Sequence, residues 1–214
     1  MTRLDGGCGH GSLMLAGGSR GGADASIRRM HAPPFIHVDP LSYEGRLALR
    51  EPASIDLLVI HCTELPDLAT AREYGERIQH PEVATGYSGH FYVDRDGRIE
   101  QWVDPLRIAH HVRGHNPRSI GIELVNLGRY PHWFDSRHQA MTQPYPDAQV
   151  DALVMLLQHL RATLPNLEDI TGHEDLDLDR MPASDDPGLT VRRKLDPGVM
   201  FPWDRVRAAW ARHG

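Results

Sequence analysis

Two histidines and one aspartate occupy positions that favour a metal site. His61 directly follows residues 56–60, an apolar, β-branched run that is typical of a buried strand. His173 follows a second, shorter predicted strand, and Asp196 precedes a Pro-Gly pair that predicts a tight turn. Ligands often lie where a rigid strand gives way to a loop. Two imidazoles and one carboxylate leave a fourth tetrahedral position open for water, which is the pattern of catalytic zinc.

Glu123 and Lys194 are the residues that could add catalysis to such a site. Alternation in the predicted strand at residues 119–125 turns Glu123 to one face and its isoleucine and leucine neighbours to the other. A partly buried carboxylate at a cleft can act as a general base, although an ordinary strand-edge charge fits the pattern equally well. Lys194, two residues before Asp196, could stabilise an oxyanion or could be a solvated loop lysine beside two arginines.

Two nearby residues offer alternatives. Asp186 also precedes a Pro-Gly pair, but only Asp196 has a lysine two residues earlier and a Phe-Pro-Trp sequence shortly after, so Asp196 is favoured. Cys62 would need a histidine base to act as a nucleophile. Adjacent strand residues point to opposite faces, so Cys62 beside His61 is expected to be a small buried residue. Further histidines lack such a context and are expected at the surface: His80, His115, His132, His138 and His159.

Alternating strands and helices are predicted to position these residues. The predicted strands are residues 56–60, 90–94, 99–103 and 119–125, with a short one ending at Gly172. The predicted helices are residues 65–79 with Asp67 as N-cap, 147–164 before Pro165, and 204–213. An Asp-Gly turn joins two of the strands into an antiparallel hairpin. We therefore expect one α/β domain, with a central mixed β-sheet flanked by helices and with loops at residues 128–146 and 174–197.

Composition limits the classes of partner and the organisation of the chain. The formal net charge of −6 over 214 residues argues against a nucleic-acid partner. No apolar run approaches the roughly 20 residues that cross a bilayer. Residues 1–34 are Gly-rich without apolar periodicity and are interpreted as a disordered tail, and residues 35–214 as the folded domain. The apolar stretch near the N-terminus is too short for a secretory signal, so a cytoplasmic location is expected, with the periplasm as the alternative. The protein is also expected to be a monomer.

Several segments, in order, resemble one enzyme family. They are Leu-Val-Ile-His at 58–61, the hairpin at 89–103, Ser-Ile-Gly-Ile-Glu-Leu at 119–124, Thr-Gly-His-Glu-Asp at 171–175, and Arg-Lys-Leu-Asp-Pro-Gly at 193–198 with Phe-Pro-Trp at 201–203. Together they resemble the zinc-dependent N-acetylmuramoyl-L-alanine amidases of the AmpD type, the amidase-2 family, which is related to phage T7 lysozyme and the peptidoglycan-recognition proteins. The resemblance covers roughly residues 55 to 205. Residues 176–192 form a longer loop than in compact relatives.

The resemblance assigns a role to each candidate residue. It implies one zinc ion per chain, the catalytic residues Glu123 and Lys194, and substrate contacts from His111 and His90; the zinc ligands would be His61, His173 and Asp196. His110 stands next to His111, which leaves that assignment open by one residue. The implied reaction is hydrolysis of the amide between N-acetylmuramic acid and L-alanine in peptidoglycan or muropeptides, in cell-wall recycling. The alternatives are a peptidoglycan-binding module without catalysis and a zinc peptidase that cuts within the stem peptide; filled ligand positions favour the amidase.

Overall fold

A six-stranded mixed sheet forms the centre of the protein in a computed structural model that describes residues 30–211. The strands are β1 (Ile36–Val38), β2 (Leu57–Cys62), β3 (Phe91–Val93), β4 (Ile99–Gln101), β5 (Ser119–Leu124) and β6 (Asp169–Gly172). Their order across the sheet is β1-β4-β3-β5-β2-β6. Strands β3, β5, β2 and β6 run parallel, while β4 is antiparallel to β3 and β1 is parallel to β4. The predicted mixed sheet is therefore confirmed.

Within residues 30–211, four α-helices accompany the sheet: α1 (Leu68–Gly75), α2 (Asp147–Thr163), α3 (His173–Leu176) and α4 (Trp203–Ala211). Asp67 caps α1 as predicted, because its carboxylate accepts a hydrogen bond from the Thr70 N–H at 2.7 Å. Helix α1 ends at Gly75, four residues before the predicted end. The Tyr43 hydroxyl donates to the Gly75 carbonyl at 2.8 Å, and the chain turns away at that point.

The two faces of the sheet have different contents. Ile120, Ile122 and Leu124 of β5 point to one face, where they pack with β2 and with the leucines of α2 in the main hydrophobic core. Burial of each such side chain contributes about 1.5–3 kcal/mol, so this face holds the fold together. His61 and Glu123 alternate with these core residues and lie on the opposite face. The predicted alternation in the Glu123 strand is confirmed.

The segment after α3 is not the uniform loop that the sequence predicts. It forms a hairpin of two short strands, β7 (Arg180–Pro182) and β8 (Thr190–Arg192). The hairpin is attached to the 128–146 loop, because the Ser184 N–H donates to the Phe134 carbonyl at 2.8 Å. Each strand has only three residues and one central apolar side chain, Met181 or Val191, so the run is too short for periodicity to reveal it.

Residues just before the predicted domain boundary at residue 34 already contact the folded domain. The side chains of Met30 and Ala32 already pack against the main core. The remainder of the predicted disordered tail, residues 1–29, lies outside the described residues. Among residues 30–211, no helix combines the length and the apolar character needed to cross a membrane.

Candidate metal centre and the surrounding cleft

Strand register brings the candidate ligands to one edge of the sheet. His61 lies opposite Glu123 in the parallel β2–β5 pair. Ile60 pairs with Gly172 across β2 and β6, so His173 continues that register beside His61, with the two rings 4.5 Å apart. The carboxyl ends of neighbouring parallel strands thus present both imidazoles on the same side. Asp196, from the segment after β8, completes the group.

The three predicted ligands are buried and face one another. Each is only 2% exposed, and the ligand atoms all lie within 4.8 Å of one another. The Nδ1 atoms of His61 and His173 are each 3.0 Å from Asp196 Oδ2. Asp196 Oδ1 is buried and has no hydrogen-bond partner among the described residues. A buried carboxylate is unfavourable unless it is compensated, so this donor set and its unpaired oxygen fit a bound cation.

Electrostatics at the group favours the protonation states that a metal requires. Burial lowers the pKa of His61 to about 4, and repulsion from His173 acts in the same direction, so the imidazole is neutral near pH 7. Burial on its own would raise the pKa of Asp196. Attraction to His173 and Lys194, with hydrogen bonds from both histidines, instead holds that pKa well below its usual value. A neutral imidazole and an ionised carboxylate are the forms that bind metal.

Glu123 lies at the edge of the ligand group. Its Oε1 is 3.9 Å from His61 Nδ1, and its side chain is 15% exposed. Burial, followed by repulsion from Asp196, raises the pKa of Glu123 to about 8, while Lys194 opposes the increase. The carboxyl group can therefore exchange a proton near neutral pH. Gly89 provides the space for it, since a Cβ at position 89 would lie 2.8 Å from Glu123 Cγ.

The ligand group opens into a cleft of about 840 Å³, a volume within the usual range for small-molecule sites. Lys194 lines the cleft and is partly exposed; within residues 30–211 its ammonium group makes no hydrogen bond or ion pair. Its lining includes Trp133 and Phe134 of the 128–146 loop and Met181 of the β7–β8 hairpin. Four further aromatic or imidazole side chains line it: Tyr74, His80, Tyr87 and His110.

The two histidines that were expected to contact substrate lie in different environments. His111 lines the cleft, and its Nδ1 is 3.0 Å from His61 Nε2, so it contacts a candidate ligand directly. Burial lowers the pKa of His111 well below its usual value and keeps the ring neutral. His90 is fully buried and is not among the residues that line the cleft. Its Nδ1 accepts from the Gly121 N–H at 3.0 Å and its Nε2 lies 3.0 Å from the Arg107 carbonyl, and these contacts favour a role in packing over the expected substrate contact.

The two alternative residues occupy other environments. Asp186 is exposed and its Oδ1 accepts from the Gly188 N–H at 2.9 Å, so it stabilises its own turn. It does not belong to the group that could hold a metal. Cys62 is 4% exposed, and burial raises the pKa of its thiol well above the usual value, which disfavours a thiolate nucleophile. Of the histidines expected at the surface, His80 is half-buried in the cleft wall, where its ring contacts His110.

A buried ion pair among the residues that line the cleft could not be predicted from the sequence. Arg129 donates from Nε to Glu64 Oε1 at 2.6 Å and from Nη2 to Oε2 at 2.7 Å. The same guanidinium donates to the carbonyls of Arg192 at 2.9 Å and Arg193 at 3.2 Å. Arg129 therefore ties the strand end that carries His61 to the segment that leads to Asp196. The partners lie some 65 positions apart in sequence, so no local pattern connects them.

Known proteins resemble this chain in sequence and in fold. The sequence profile of the N-acetylmuramoyl-L-alanine amidase family matches residues 51–199. The 1,6-anhydro-N-acetylmuramyl-L-alanine amidase AmpD of Enterobacter cloacae is 33% identical over 125 residues, which cover 54% of this chain and 53% of that protein. The N-acetylmuramoyl-L-alanine amidase AmiD of Escherichia coli is 30% identical over 167 residues, 71% of this chain and 52% of that protein. The chain thus spans about half of the length of these curated relatives.

A solved structure supports the fold assignment. The complex of E. coli AmiD with its substrate anhydro-N-acetylmuramic acid-L-Ala-D-γ-Glu-L-Lys superposes with a TM-score of 0.55 at 24% identity. The superposition covers 73% of this chain and 57% of that one. The family profile covers more than half of the present sequence and includes all three buried ligand candidates together with Glu123 and Lys194. The chain therefore belongs to the N-acetylmuramoyl-L-alanine amidase family.

Proposed function

We propose that the chain is a zinc-dependent amidase that holds one zinc ion through His61, His173 and Asp196. The observation that carries this proposal is the buried group of two imidazoles and one carboxylate, open to a cleft beside a glutamate with a raised pKa. A structural zinc site would be closed by a fourth protein ligand, whereas three ligands beside a cleft suit catalysis. We infer that the bond cleaved joins the lactyl group of N-acetylmuramic acid to L-alanine.

The residues around the group can divide the chemistry of hydrolysis between them. When bound, zinc supplies Lewis acidity toward a carbonyl oxygen and a water molecule. Glu123 accepts the proton of the water whose oxygen forms the new bond to the carbonyl carbon. Glu123 then returns this proton to the nitrogen of L-alanine as the carbon–nitrogen bond breaks. Lys194 stabilises the negative charge that develops on the carbonyl oxygen. The products are a lactyl carboxylic acid and a free stem peptide.

The substrate is inferred from the cleft and from the relatives. A volume of about 840 Å³ suits a fragment that combines one sugar and a short peptide. AmpD is named for a 1,6-anhydro substrate, and AmiD has been captured with an anhydro-muropeptide. We therefore propose that this chain acts on peptidoglycan-derived muropeptides in cell-wall recycling, in the cytoplasm. A comparison of cleavage rates on anhydro-muropeptides and on intact sacculi tests this preference.

Zinc content and product analysis test the function on the full chain. Wild type should contain one zinc ion per chain and release stem peptide with a free L-alanine amine. The His173→Ala variant should lose both properties. The Glu123→Gln variant should retain zinc but lose about 10²–10⁴-fold in turnover, because only the proton transfer is removed.

Three outcomes would contradict the proposal in different ways. Absence of stoichiometric zinc together with absence of released peptide would exclude the zinc hydrolase. Zinc content with muropeptide binding and no cleavage would indicate a recognition module. Mass spectra that show cuts between stem amino acids would indicate a peptidase.

A further inference from the structure

A line of hydrogen bonds leads from His61 away from the cleft. His61 Nε2 is 3.0 Å from His111 Nδ1, and His111 Nε2 is 3.1 Å from the hydroxyl of Ser119. The Ser119 hydroxyl is also 2.8 Å from the carbonyl oxygen of His115. Ser119 is fully buried, so water cannot replace these partners. The line therefore begins at a candidate ligand and ends at a backbone carbonyl.

The carbonyl oxygen at the end of the line determines which atom donates and which accepts in each of its hydrogen bonds. A carbonyl oxygen can only accept, so the Ser119 hydroxyl must donate its single proton to His115. The Ser119 oxygen is then left to accept from Nε2–H of His111. A ring with its proton on Nε2 offers the lone pair of Nδ1 as an acceptor. His111 Nδ1 accepts in turn from Nε2–H of His61. A metal bound between His61 Nδ1 and Asp196 would take the place of the hydrogen bond that joins these two groups, and it would use the Nδ1 lone pair.

The surrounding backbone is built to hold His111 in this position. A Cβ at Gly121 would lie 2.6 Å from the His111 ring, so only glycine leaves room for it on strand β5. The Asn116 side chain accepts from the backbone N–H groups of His111 at 3.0 Å and Val112 at 2.8 Å. By contrast, His173 Nε2 is buried and has no hydrogen-bond partner among the described residues. Of the two candidate histidine ligands, only His61 therefore has a hydrogen-bond partner at Nε2 among the described residues.

We propose that His111 and Ser119 are positioning residues that fix the His61 tautomer, with Nδ1 free to bind the metal. The inference rests on the proposed zinc site and extends it beyond its ligands. Groups that orient a ligating histidine typically change metal affinity by about 10–100-fold when they are removed. His111 thus acts through His61 rather than as the substrate contact that the sequence suggests.

Metal affinity tests the proposal without reference to turnover. Zinc affinity is measured by competition with a chromophoric chelator for wild type, His111→Leu, His111→Asn and Ser119→Ala. His111→Leu should weaken zinc binding about 10–100-fold, and Ser119→Ala, which removes one acceptor, about two- to tenfold. His111→Asn should recover part of the loss, because its amide oxygen can accept from His61 Nε2. His110→Leu, which alters the neighbouring cleft histidine, should retain wild-type affinity.

Nitrogen NMR provides an independent test of the tautomers in the zinc-loaded wild type. Two-bond proton–nitrogen correlations should place the His111 proton on Nε2. A proton on His111 Nδ1, or unchanged zinc affinity in both His111→Leu and Ser119→Ala, would overturn the proposal. If His111→Leu does not fold, the Ser119→Ala affinity and the NMR assignment decide the question. Wild type that binds no zinc would instead refute the proposed function, so the two failures are distinguishable.

Discussion

Glu123→Gln should stabilise the metal-free protein increasingly as the pH rises from about 4.5 to 8. Burial and Asp196 raise the pKa of Glu123 from the ordinary 4.5 to about 8. Between these values the folded chain retains a proton that the unfolded chain releases, so wild-type stability falls as the pH rises and levels off above about 8. A tenfold change in proton affinity corresponds to about 1.4 kcal/mol, which sets an upper limit on the order of 5 kcal/mol at pH 8.

Glutamine preserves the shape of the protonated carboxyl group but does not titrate. The loss of stability with rising pH should therefore disappear in the variant. His61 acts at the other end of the range. Its pKa is lowered to about 4, so its contribution to stability is present above about pH 6.5 and is lost as the pH falls toward 4 in both proteins. The assay is urea unfolding from pH 5 to 8.5 after zinc removal with a chelator. Glu73→Gln, on the exposed side of α1, serves as the control and should follow wild type.

Zinc provides a second arm of the same experiment. A cation bound to His61 would lie close to Glu123 Oε1, which is 3.9 Å from His61 Nδ1, and would stabilise the carboxylate. The difference between wild type and Glu123→Gln at pH 8 should therefore shrink when zinc is added. Parallel stability profiles for the two metal-free proteins would refute the electrostatic reasoning.

Further predictions concern groups next to the ligands. Lys194→Met should reduce kcat by about 10²–10³ with unchanged zinc content; zinc loss would instead indicate a structural role. Arg129→Met leaves Glu64 buried without its partner and should lower the free energy of unfolding in urea by about 3–5 kcal/mol, and a change below 1 kcal/mol would contradict a tight pair. Asp196→Asn should abolish stoichiometric zinc in metal analysis, while Asp186→Asn should not; the reverse result would exchange the ligand assignment.

Features of the fold that depend on local chemistry could be predicted from the sequence. The alternation around Glu123 follows from the two-residue period of a strand, and the register with β2 places it beside His61 as expected. The Asp67 cap follows from the ability of an aspartate to accept from the first free N–H groups of a helix. Strand-end positions likewise identified both candidate histidine ligands. In each case the signal spans a few residues and survives without knowledge of distant contacts.

The remaining features depend on contacts between distant segments. The resemblance implies substrate contacts from both His111 and His90. In the structure the Gly121 N–H donates to the His90 ring, and the His111 ring packs against Gly121, where a Cβ would not fit. Neither contact with Gly121 could be predicted from a pattern of neighbouring residues in the sequence. The Glu64–Arg129 pair and the β7–β8 hairpin were missed for the same reason, since both exist only through tertiary partners.

The two Asp-Pro-Gly sequences show how the surroundings decide what a local motif does. At Asp186 the carboxylate is exposed and accepts from its own turn, so water competes for it and no cation is required. At Asp196 the same tripeptide follows backbone that Arg129 holds by hydrogen bonds, and the Asp196 carboxylate lines the cleft, buried against two imidazoles. Desolvation makes that carboxylate costly without a positive partner. The burial that would destabilise an isolated aspartate therefore favours metal binding at this one.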